Sequence, residues 1–192
     1  MPLSRRLALP LLTVAAVGML AASPAAAAPS PRTPGIAELS AQRVELADKV
    51  AAAKWGTDKP IDDPAREQAL LEDVAQRSAG MGLDPDEATA VFRDQIEANK
   101  KVQRGLFARW DAHPDERPDR RPDLAKEVRP ALDRLTDRLL AALRGTEEAR
   151  HSPTCTARVA HGTLRTAHAH HFDALHAAGL ERAVRSVCAD RH

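Results

Sequence analysis

Apolar residues recur every three or four positions along most of this chain, and that period predicts α-helices. Between Gly35 and Trp55 the apolar stripe consists of Ile36, Leu39, Leu46, Val50 and Ala53. Ala and Leu supply most of the apolar residues, aromatic residues make up only 3%, and Tyr is absent. This composition favours helices over strands. The sequence therefore predicts an all-α fold, a bundle of about six helices.

Two Asp-Pro pairs mark the starts of further helices, because Asp is a preferred N-cap and Pro fits the first helical position. Asp63-Pro64 opens a second helix. Asp84-Pro85 opens a third, which runs to about Trp110.

A charged, proline-rich segment, residues 111–122, follows the third helix and is expected to be a solvated linker. Asp123 then caps a fourth helical pattern, which Pro130 interrupts. Since proline cannot donate a backbone hydrogen bond, this helix either kinks at Pro130 or begins there.

Two cations lie on the face that the first helix would bury. Arg43 fills the missing step of the apolar stripe, and Lys54 lies eleven residues further on. Eleven residues at about 100° each return to within roughly 20° of the starting direction. An unpaired buried charge is costly, so this face requires an anionic partner. The two cations either reach solvent or internal carboxylates, or they bind an external anion.

The third helix shows the same anomaly. Two amides, Asn99 and Gln103, stand on a stripe that is otherwise formed by Phe92, Ile96, Leu106 and Trp110.

The N-terminal segment is typical of a secretory signal peptide. Arg5 and Arg6 precede an apolar run over residues 7–22, and small residues follow at once. The run is short for a membrane span, so we predict a signal peptide, residues 1–28, cut near Ala28. The arginine pair leaves the twin-arginine export route open beside the general one. The mature protein is thus expected in the periplasm or secreted, with no membrane anchor.

The mature chain, residues 29–192, has the length of one domain with its own core. Residues 29–34 are rich in proline and are expected to form a flexible lead. The formal net charge is +1, and no basic run is interleaved with aromatics, which argues against nucleic acid as a partner.

The two cysteines, Cys155 and Cys188, both lie in the exported part of the chain, where disulfides persist. Phe172-Asp173, near the middle of the interval, is typical of a helix start. Two helices that reverse there bring their far ends together. We therefore predict a Cys155–Cys188 disulfide that ties a C-terminal helical hairpin, residues 153–190.

Five histidines are concentrated in this hairpin: His161, His168, His170, His171 and His176. Clustered imidazoles can bind zinc or copper, but no acidic or thiolate residue stands at ligand spacing. A solvated or helix-capping role is favoured, and no metal site is predicted. Sequence signatures of a serine nucleophile, a phosphate loop or a dinucleotide site are also missing.

The polar positions form an ordered series along three helices. It consists of Arg43, Lys54 eleven residues later, Asp63 nine later, Arg66 three later, then Glu67, Asn99 and Gln103. These residues lie in three sequence segments, AQRVELADKVAAAKW, PIDDPAREQ and VFRDQIEANKKVQ. It resembles the site of the all-helical chorismate mutase family, over the mature chain from about Ala37 onward. The signal peptide and the C-terminal cysteines make the chain resemble the exported subtype of that family.

The resemblance implies an intramolecular isomerase that converts chorismate to prephenate without a cofactor. By resemblance, Arg43, Arg66 and Arg129 bind the substrate carboxylates, Lys54 and Gln103 donate to the ether oxygen, and Glu67 holds the ring hydroxyl. Asp63 orients that end of the pocket. The exported subtype is also expected to be a homodimer in which each chain builds a complete site.

Two positions depart from the family pattern. Asn99 stands where the family usually has a small hydroxyl residue. Arg129 precedes Pro130, which disfavours helical geometry at Arg129 itself. The alternative function is a non-catalytic periplasmic helical module that binds small anions or a metal.

Overall fold

The computed structural model describes residues 35–188. Within that range it contains no β-strand and seven α-helices: α1 (Ile36–Lys54), α2 (Pro64–Gly80), α3 (Pro85–Ala112), α4 (Arg129–Gly145), α5 (Glu147–Arg150), α6 (Cys155–Ala169) and α7 (Ala174–Ala183). The predicted all-α fold with a disulfide-tied hairpin is confirmed; α5, a single turn, is the helix that the sequence did not indicate. The predicted signal peptide, 1–28, and the lead, 29–34, lie outside the described residues.

The core is formed where α1 and α3 cross the other helices. α1 packs against α3 and α4, and α3 also contacts α2 and α7. The largest fully buried side chains include Phe92, Leu39 and Leu139. Each such side chain contributes roughly 1.5–3 kcal/mol through burial of apolar surface. No helix within 35–188 is both long enough and apolar enough to cross a bilayer.

The aspartates predicted as N-caps do cap their helices. The side chains of Asp63, Asp84 and Asp123 accept hydrogen bonds from backbone N–H groups two or three residues later, at 2.8–3.2 Å. Each cap satisfies donors that the first helical turn leaves unpaired, which is worth about 1 kcal/mol. The sequence therefore locates the starts of α2 and α3 correctly.

Two helices end in the same reversal, in which a residue of left-handed backbone closes the last turn. After α2, Gly82 takes φ +70°, and the N–H of Leu83 donates to the carbonyl of Ser78 at 2.9 Å. After α6, His171 takes φ 52°, and the N–H of Phe172 donates to the carbonyl of Ala167 at 3.0 Å. Glycine adopts this conformation freely, and histidine adopts it more readily than most residues. The second reversal makes the hairpin turn between α6 and α7.

Pro130 lies in the first turn of α4, directly after a π-helical turn over Leu124–Val128. The N–H of Val128 donates to the carbonyl of Asp123, five residues back, at 3.3 Å. This wider turn relieves the clash between a proline ring and the carbonyl four residues before it. Arg129 has φ −58° and ψ −47°, so the expectation that it would avoid helical geometry is wrong.

An aromatic cluster joins the end of α1 to α3. The ring of Trp55 lies 4.9 Å from that of Phe107 and 5.4 Å from that of Trp110, in edge-to-face arrangements. The guanidinium of Arg117 covers Trp55 at 5.8 Å from the ring centroid. Aromatic pairs of this geometry contribute about 0.5–1.5 kcal/mol beyond their buried area. The cluster therefore fixes the end of α1 that carries Lys54.

The disulfide between Cys155 and Cys188 closes an interval of 33 residues. In the loop-entropy model such a bond stabilises the fold by roughly 3–4 kcal/mol, because it restricts the unfolded chain. The hairpin thus receives covalent support in addition to the burial of Leu180, Ala183 and Val187.

α7 packs closely on the backs of α1 and α3, and Gly179 permits this. A Cβ atom at that position would lie only 2.8 Å from Val102 Cγ2 and 3.6 Å from Val44 Cγ1. Each of these valines adjoins a predicted site residue, Arg43 on α1 and Gln103 on α3. The hairpin therefore sets the spacing of the two helices that carry those residues.

The histidines of the hairpin do not form a uniform solvated face. His170 lies between two carboxylates of α1: its Nδ1 is 2.6 Å from Glu45 and its Nε2 is 3.0 Å from Glu38. Burial opposes its charged form, but the carboxylates outweigh burial and raise the pKa of His170 above the ordinary value. Within 35–188 no three His, Cys, Asp or Glu side chains converge as a metal site.

His176 makes a second link of this kind. Its Nε2 lies 2.8 Å from Asp48 on α1, and its Nδ1 lies 2.6 Å from Asp173, which also pairs with Arg109 at 2.9 Å. The hydrogen bond with Asp48, opposed by burial and reinforced by Asp173, raises the pKa of His176 to about 9. Both imidazoles therefore fasten the hairpin to α1, and the carboxylates favour their charged forms.

We expect this link to weaken at alkaline pH. A pKa raised to about 9 in the folded chain means that folding binds the proton more tightly. The stabilisation is fully present below about pH 6.5, the pKa of an unperturbed histidine, and is lost as the pH rises through about 9. Thermal unfolding of wild type should show Tm falling across this window.

The variant His176→Gln should show a smaller fall in Tm between those pH values, while His168→Gln, an exposed position on α6, should behave as wild type. An equal fall in wild type and His176→Gln would contradict the role given to this imidazole.

Candidate active site

A cavity of about 170 Å³ lies between α1, the start of α2, the middle of α3 and the start of α4. Its wall contains all eight residues that the sequence predicted for a site: Arg43, Lys54, Asp63, Arg66, Glu67, Asn99, Gln103 and Arg129. Residues that are up to 86 positions apart in the sequence thus face one space.

Arg43 is a buried part of the wall and is only 7% exposed. Its Nη1 donates to the carbonyl of Leu132 and to the hydroxyl of Thr136, both at 3.2 Å, and the guanidinium lies 5.6 Å from the ring centroid of Phe92. Burial lowers its pKa to about 10, and Asp133 opposes this shift. Arg43 therefore remains charged at neutral pH.

Arg43 does not satisfy its charge internally. Within residues 35–188 no carboxylate lies at ion-pair distance, and its buried Nε has no hydrogen-bond partner. Of the two interpretations that the sequence left open, pairing with an internal carboxylate is therefore not what the described part of the chain shows for this residue.

Lys54 projects into the cavity from the last turn of α1. Its Nζ donates to the carbonyl of Ile61 at 3.3 Å. Burial lowers its pKa below the ordinary value, and the carboxylates of Asp63, Asp62 and Glu67 offset part of this shift. An anion bound in the cavity would favour the charged form further.

The start of α2 contributes three of the predicted residues. Asp63 accepts the backbone N–H of Arg66 at 3.1 Å, and its own backbone N–H donates to Glu67 Oε1 at 3.3 Å. These reciprocal bonds resemble a capping box and fix the Glu67 carboxylate at the helix end. The side chain of Arg66 lies exposed at the cavity edge, and it has no ion pair within residues 35–188.

Asn99 and Gln103 lie one turn apart on α3 and are bonded to each other. Gln103 Nε2 donates to Asn99 Oδ1 at 2.6 Å, and Gln103 is only 2% exposed. A side-chain amide has two N–H groups, so this bond uses one of the two on Gln103. It also occupies the oxygen of Asn99, which leaves the amide nitrogen of Asn99 to act as a donor.

Arg129 lines the cavity from the start of α4, directly after the π-helical turn. Its side chain is exposed, and it forms no ion pair with any residue between 35 and 188. Although the sequence made this the least secure position, it lies in the same wall as Arg43.

The cavity wall also contains polar residues that sequence reasoning missed, among them Lys100, Gln95 and Thr136. Gln95 is 2% exposed and donates to Ala183 of α7 at 2.8 Å, so it ties the cavity wall to the hairpin. Lys100 could have been found, because positions 96, 99, 100 and 103 share one helical face.

The cations that line the cavity outnumber the carboxylates that line it, which favours an anion. The wall contains five cations, including Lys100, and three carboxylates, including Asp133. The surplus of two positive charges lies in a partly buried space, where Coulomb interactions are less screened than at the surface.

Most of the chain is similar to proteins of one known family. Residues 35–104 match the family described as chorismate mutase type II. The protein named secreted chorismate mutase from Mycobacterium tuberculosis is 31% identical over 153 residues, which are 80% of this chain and 76% of that protein. The chain belongs to the chorismate mutase family.

Other relatives extend this finding over most of the chain. The secreted chorismate mutase of Mycolicibacterium smegmatis is 33% identical over 159 residues, 83% of this chain and 87% of that protein. The crystal structure of the chorismate mutase from Burkholderia phymatum has a TM-score of 0.77 at 34% identity, and covers 81% of this chain and 94% of its own. The crystal structure of the chorismate mutase from Burkholderia thailandensis has a TM-score of 0.76 at 42% identity. The match covers 80% of this chain and 96% of that one.

The resemblance to exported chorismate mutases is therefore confirmed, since relatives with the word secreted in their names match most of the chain. The prediction of an intramolecular isomerase is confirmed with it.

We expect Arg129→Ala to raise KM and lower kcat for chorismate, because a cation in this wall would both bind and position a carboxylate. The loss in kcat/KM should be about tenfold to a hundredfold, as for a charge-assisted hydrogen bond. The matched control is Arg134→Ala, an exposed arginine on the same helix that does not line the cavity. Equal kinetics in the two variants would show that Arg129 does not reach the substrate.

Proposed function

We propose that this protein is an exported chorismate mutase that acts by positioning its substrate and by stabilising charge on the ether oxygen. The observation that carries the proposal is the cavity itself, where eight residues expected of the family meet with a surplus of two cations.

The reaction is a Claisen rearrangement within one molecule. The carbon–oxygen bond of the enolpyruvyl ether breaks while a carbon–carbon bond forms, and the electrons move in one cycle. No proton is transferred, and neither a metal nor a cofactor is needed. Two demands remain for the protein: the dicarboxylate must be held in its compact conformer, and the negative charge that grows on the ether oxygen must meet preorganised donors.

Arg43, Arg66 and Arg129 are proposed to bind the two carboxylates. Arg43 is suited to this role because Leu132 and Thr136 hold its guanidinium from one side. The arginine thus loses little conformational freedom when the substrate binds, which is the benefit of preorganisation. Asn99 is proposed to add a neutral donor to a carboxylate through its amide nitrogen.

Lys54 and Gln103 are proposed to donate hydrogen bonds to the ether oxygen. Lys54 supplies a positive charge, whereas Gln103 supplies the N–H group that Asn99 does not use. Glu67 is proposed to accept the ring hydroxyl, and Asp63 to orient this end of the cavity through the bond from its backbone N–H to Glu67.

For the mature protein we propose a periplasmic or secreted location after removal of residues 1–28, with a cut near Ala28. We also propose a homodimer in which each chain has its own site. All eight proposed site residues, Arg129 included, line one cavity of a single chain, which supports the independence of the two sites.

The direct test is whether the purified mature protein consumes chorismate, followed by ultraviolet absorbance. A protein that only binds small anions through its arginines would be saturated by chorismate without converting it. Absence of turnover would therefore refute the proposal in favour of that alternative.

Lys54→Ala should nearly abolish turnover while the protein stays folded. Removal of one preorganised donor to a developing oxyanion costs about 3–4 kcal/mol, a loss of roughly a hundredfold to a thousandfold in kcat. Lys49→Ala, an exposed lysine of the same helix, is the matched control and should keep full activity. A Lys54→Ala enzyme within about fivefold of wild type would exclude Lys54 as the charged donor, since this is only ~1 kcal/mol.

The pH dependence should follow from the choice of donors. An amide donates at every ordinary pH, so Gln103 cannot titrate, and kcat should be flat from about pH 5 to pH 9. Burial lowers the pKa of Lys54 in the free enzyme, so kcat/KM should fall on the alkaline side before kcat does.

Gln103→Glu should convert this plateau into an acid-favoured profile, because a carboxyl group donates only while protonated. Measurement of kcat for both enzymes across this range provides the comparison. A wild-type kcat that drops steeply between about pH 6 and 8, where histidine titrates, would count against Gln103 as the donor.

A further inference from the structure

Lys100 is a buried cation in the cavity wall that the roles above leave unassigned. It is 8% exposed and follows Asn99 on α3. Its Nζ lies 2.6 Å from Glu97, 3.0 Å from Glu67 and 3.4 Å from Asp62. Burial opposes its charged form, but the bonds to Glu97 and Glu67 outweigh burial and raise the pKa of Lys100 above the ordinary value. It is therefore a permanent cation at neutral pH.

The three carboxylates around Lys100 differ in what else holds them. Asp62 has a 55% exposed side chain and receives two bonds from Arg104, at 2.6 and 2.8 Å. Glu97 lies on the same helix as Lys100, so their pair links no separate elements. Glu67 lies on α2, 33 residues away, and its side chain is the least exposed of the three at 25%. The Lys100–Glu67 pair is thus the best shielded from solvent.

Glu67 is held at both carboxylate oxygens. Lys100 Nζ donates to Oε2 at 3.0 Å, and the backbone N–H of Asp63 donates to Oε1 at 3.3 Å. An ionised carboxylate has about four acceptor sites, so each oxygen can still accept a further hydrogen bond. The bond from Asp63 fixes Glu67 within its own helix, whereas the bond from Lys100 fixes it relative to α3, which carries Asn99 and Gln103.

We infer that Lys100 is a positioning residue for chorismate turnover: it holds the Glu67 carboxylate in the orientation that accepts the ring hydroxyl of the substrate. This inference rests on the proposed function and deepens it. A carboxylate in a cavity that takes a dianion is repelled by its own ligand. Lys100 compensates this repulsion without occupying the substrate's space, because its ammonium is already bonded to three carboxylates.

The experiment combines two single substitutions with their double variant. Lys100→Met keeps the length of the side chain and removes its charge, and Glu67→Gln keeps the shape of the carboxylate and removes its charge. We expect Lys100→Met to lower kcat/KM about tenfold to a hundredfold, the effect of losing a hydrogen bond to a charged group. In the Glu67→Gln background the same substitution should cost less than about threefold, because residues that act as a unit are not additive.

Two controls separate positioning from general effects of charge and packing. Lys101→Met removes a charge from the next, exposed residue of α3 and should leave kcat/KM unchanged. Glu97→Gln disturbs another bond of Lys100 without touching Glu67 and should change kcat/KM by less than about threefold. Lys100→Arg, which retains the charge, should recover most of the activity lost in Lys100→Met. Circular dichroism of each variant shows whether its helices are intact.

A chorismate analogue without the ring hydroxyl distinguishes positioning of Glu67 from a structural role of Lys100. A structural role would lower kcat/KM for chorismate and for the analogue alike. With the analogue Lys100→Met should match Lys101→Met, because Glu67 has nothing to accept.

Two results would contradict the inference. Lys100→Met would lower kcat/KM for the analogue as much as for chorismate, or would lower it in the Glu67→Gln background as much as in wild type. Either result would show that Lys100 acts independently of Glu67, and the inference would be wrong. Should Lys100→Met fail to fold, Lys100→Gln, which also removes the charge, is compared with Lys101→Gln on both substrates in the same way.

The activity of the wild-type protein distinguishes a wrong inference about Lys100 from a wrong proposed function. Active wild type with Lys100→Met equal to Lys101→Met would refute the inference alone. Inactive wild type would refute the proposed function and this inference with it.

Discussion

The structure depends on keeping cations inside a helical bundle without neutralising them. Arg43 shows how this is done: its partners within the described part of the chain are a carbonyl and a hydroxyl, which satisfy hydrogen bonds but leave the charge in place. Lys54 likewise donates a hydrogen bond to a carbonyl, that of Ile61, which leaves its charge in place. Dipoles of this kind compensate only part of the cost of taking a charge out of water. The lowered pKa of both groups reflects that cost. An anionic ligand would relieve this cost, so uncompensated cations would contribute to its binding free energy.

The C-terminal hairpin completes the support for this unfavourable arrangement. α7 packs through Gly179 against valines that adjoin Arg43 and Gln103, and Gln95 bonds from the cavity wall to the backbone of Ala183. α7 buries Leu180 and Ala183 completely, whereas Leu164 on α6 is 67% exposed. The hairpin is held in addition by the disulfide and by imidazoles bonded to the carboxylates of α1. A small exported domain with few large apolar residues commonly relies on such covalent and polar support.

Most of the fold and the composition of the cavity could be predicted from the sequence, because both are encoded locally. Asp63-Pro64 and Asp84-Pro85 specify helix starts through their own backbone preferences, and polar residues on an apolar stripe mark a site. What could not be predicted depends on contacts between distant segments. The helical period could have placed Lys100 on the face of Asn99 and Gln103, but its bond to Glu67, 33 residues away, could not be predicted. His176 likewise shows no sign in sequence that Asp48 will face it. At Arg129 a sound local rule gave the wrong conformation, since a π-helical turn upstream accommodates Pro130.

The aromatic cluster has a consequence for observing this protein. The chain contains two tryptophans and no tyrosine, and both indoles lie in the same cluster, at the end of α1 that carries Lys54. Nearly all intrinsic fluorescence therefore originates at one place, next to the loop that leads from Lys54 to Asp63. Arg117 lies over one of the two rings, so the emission is sensitive to the electric field and to the solvent at this edge. The protein thus carries an unlabelled optical reporter beside its cavity, and no other region contributes background to it.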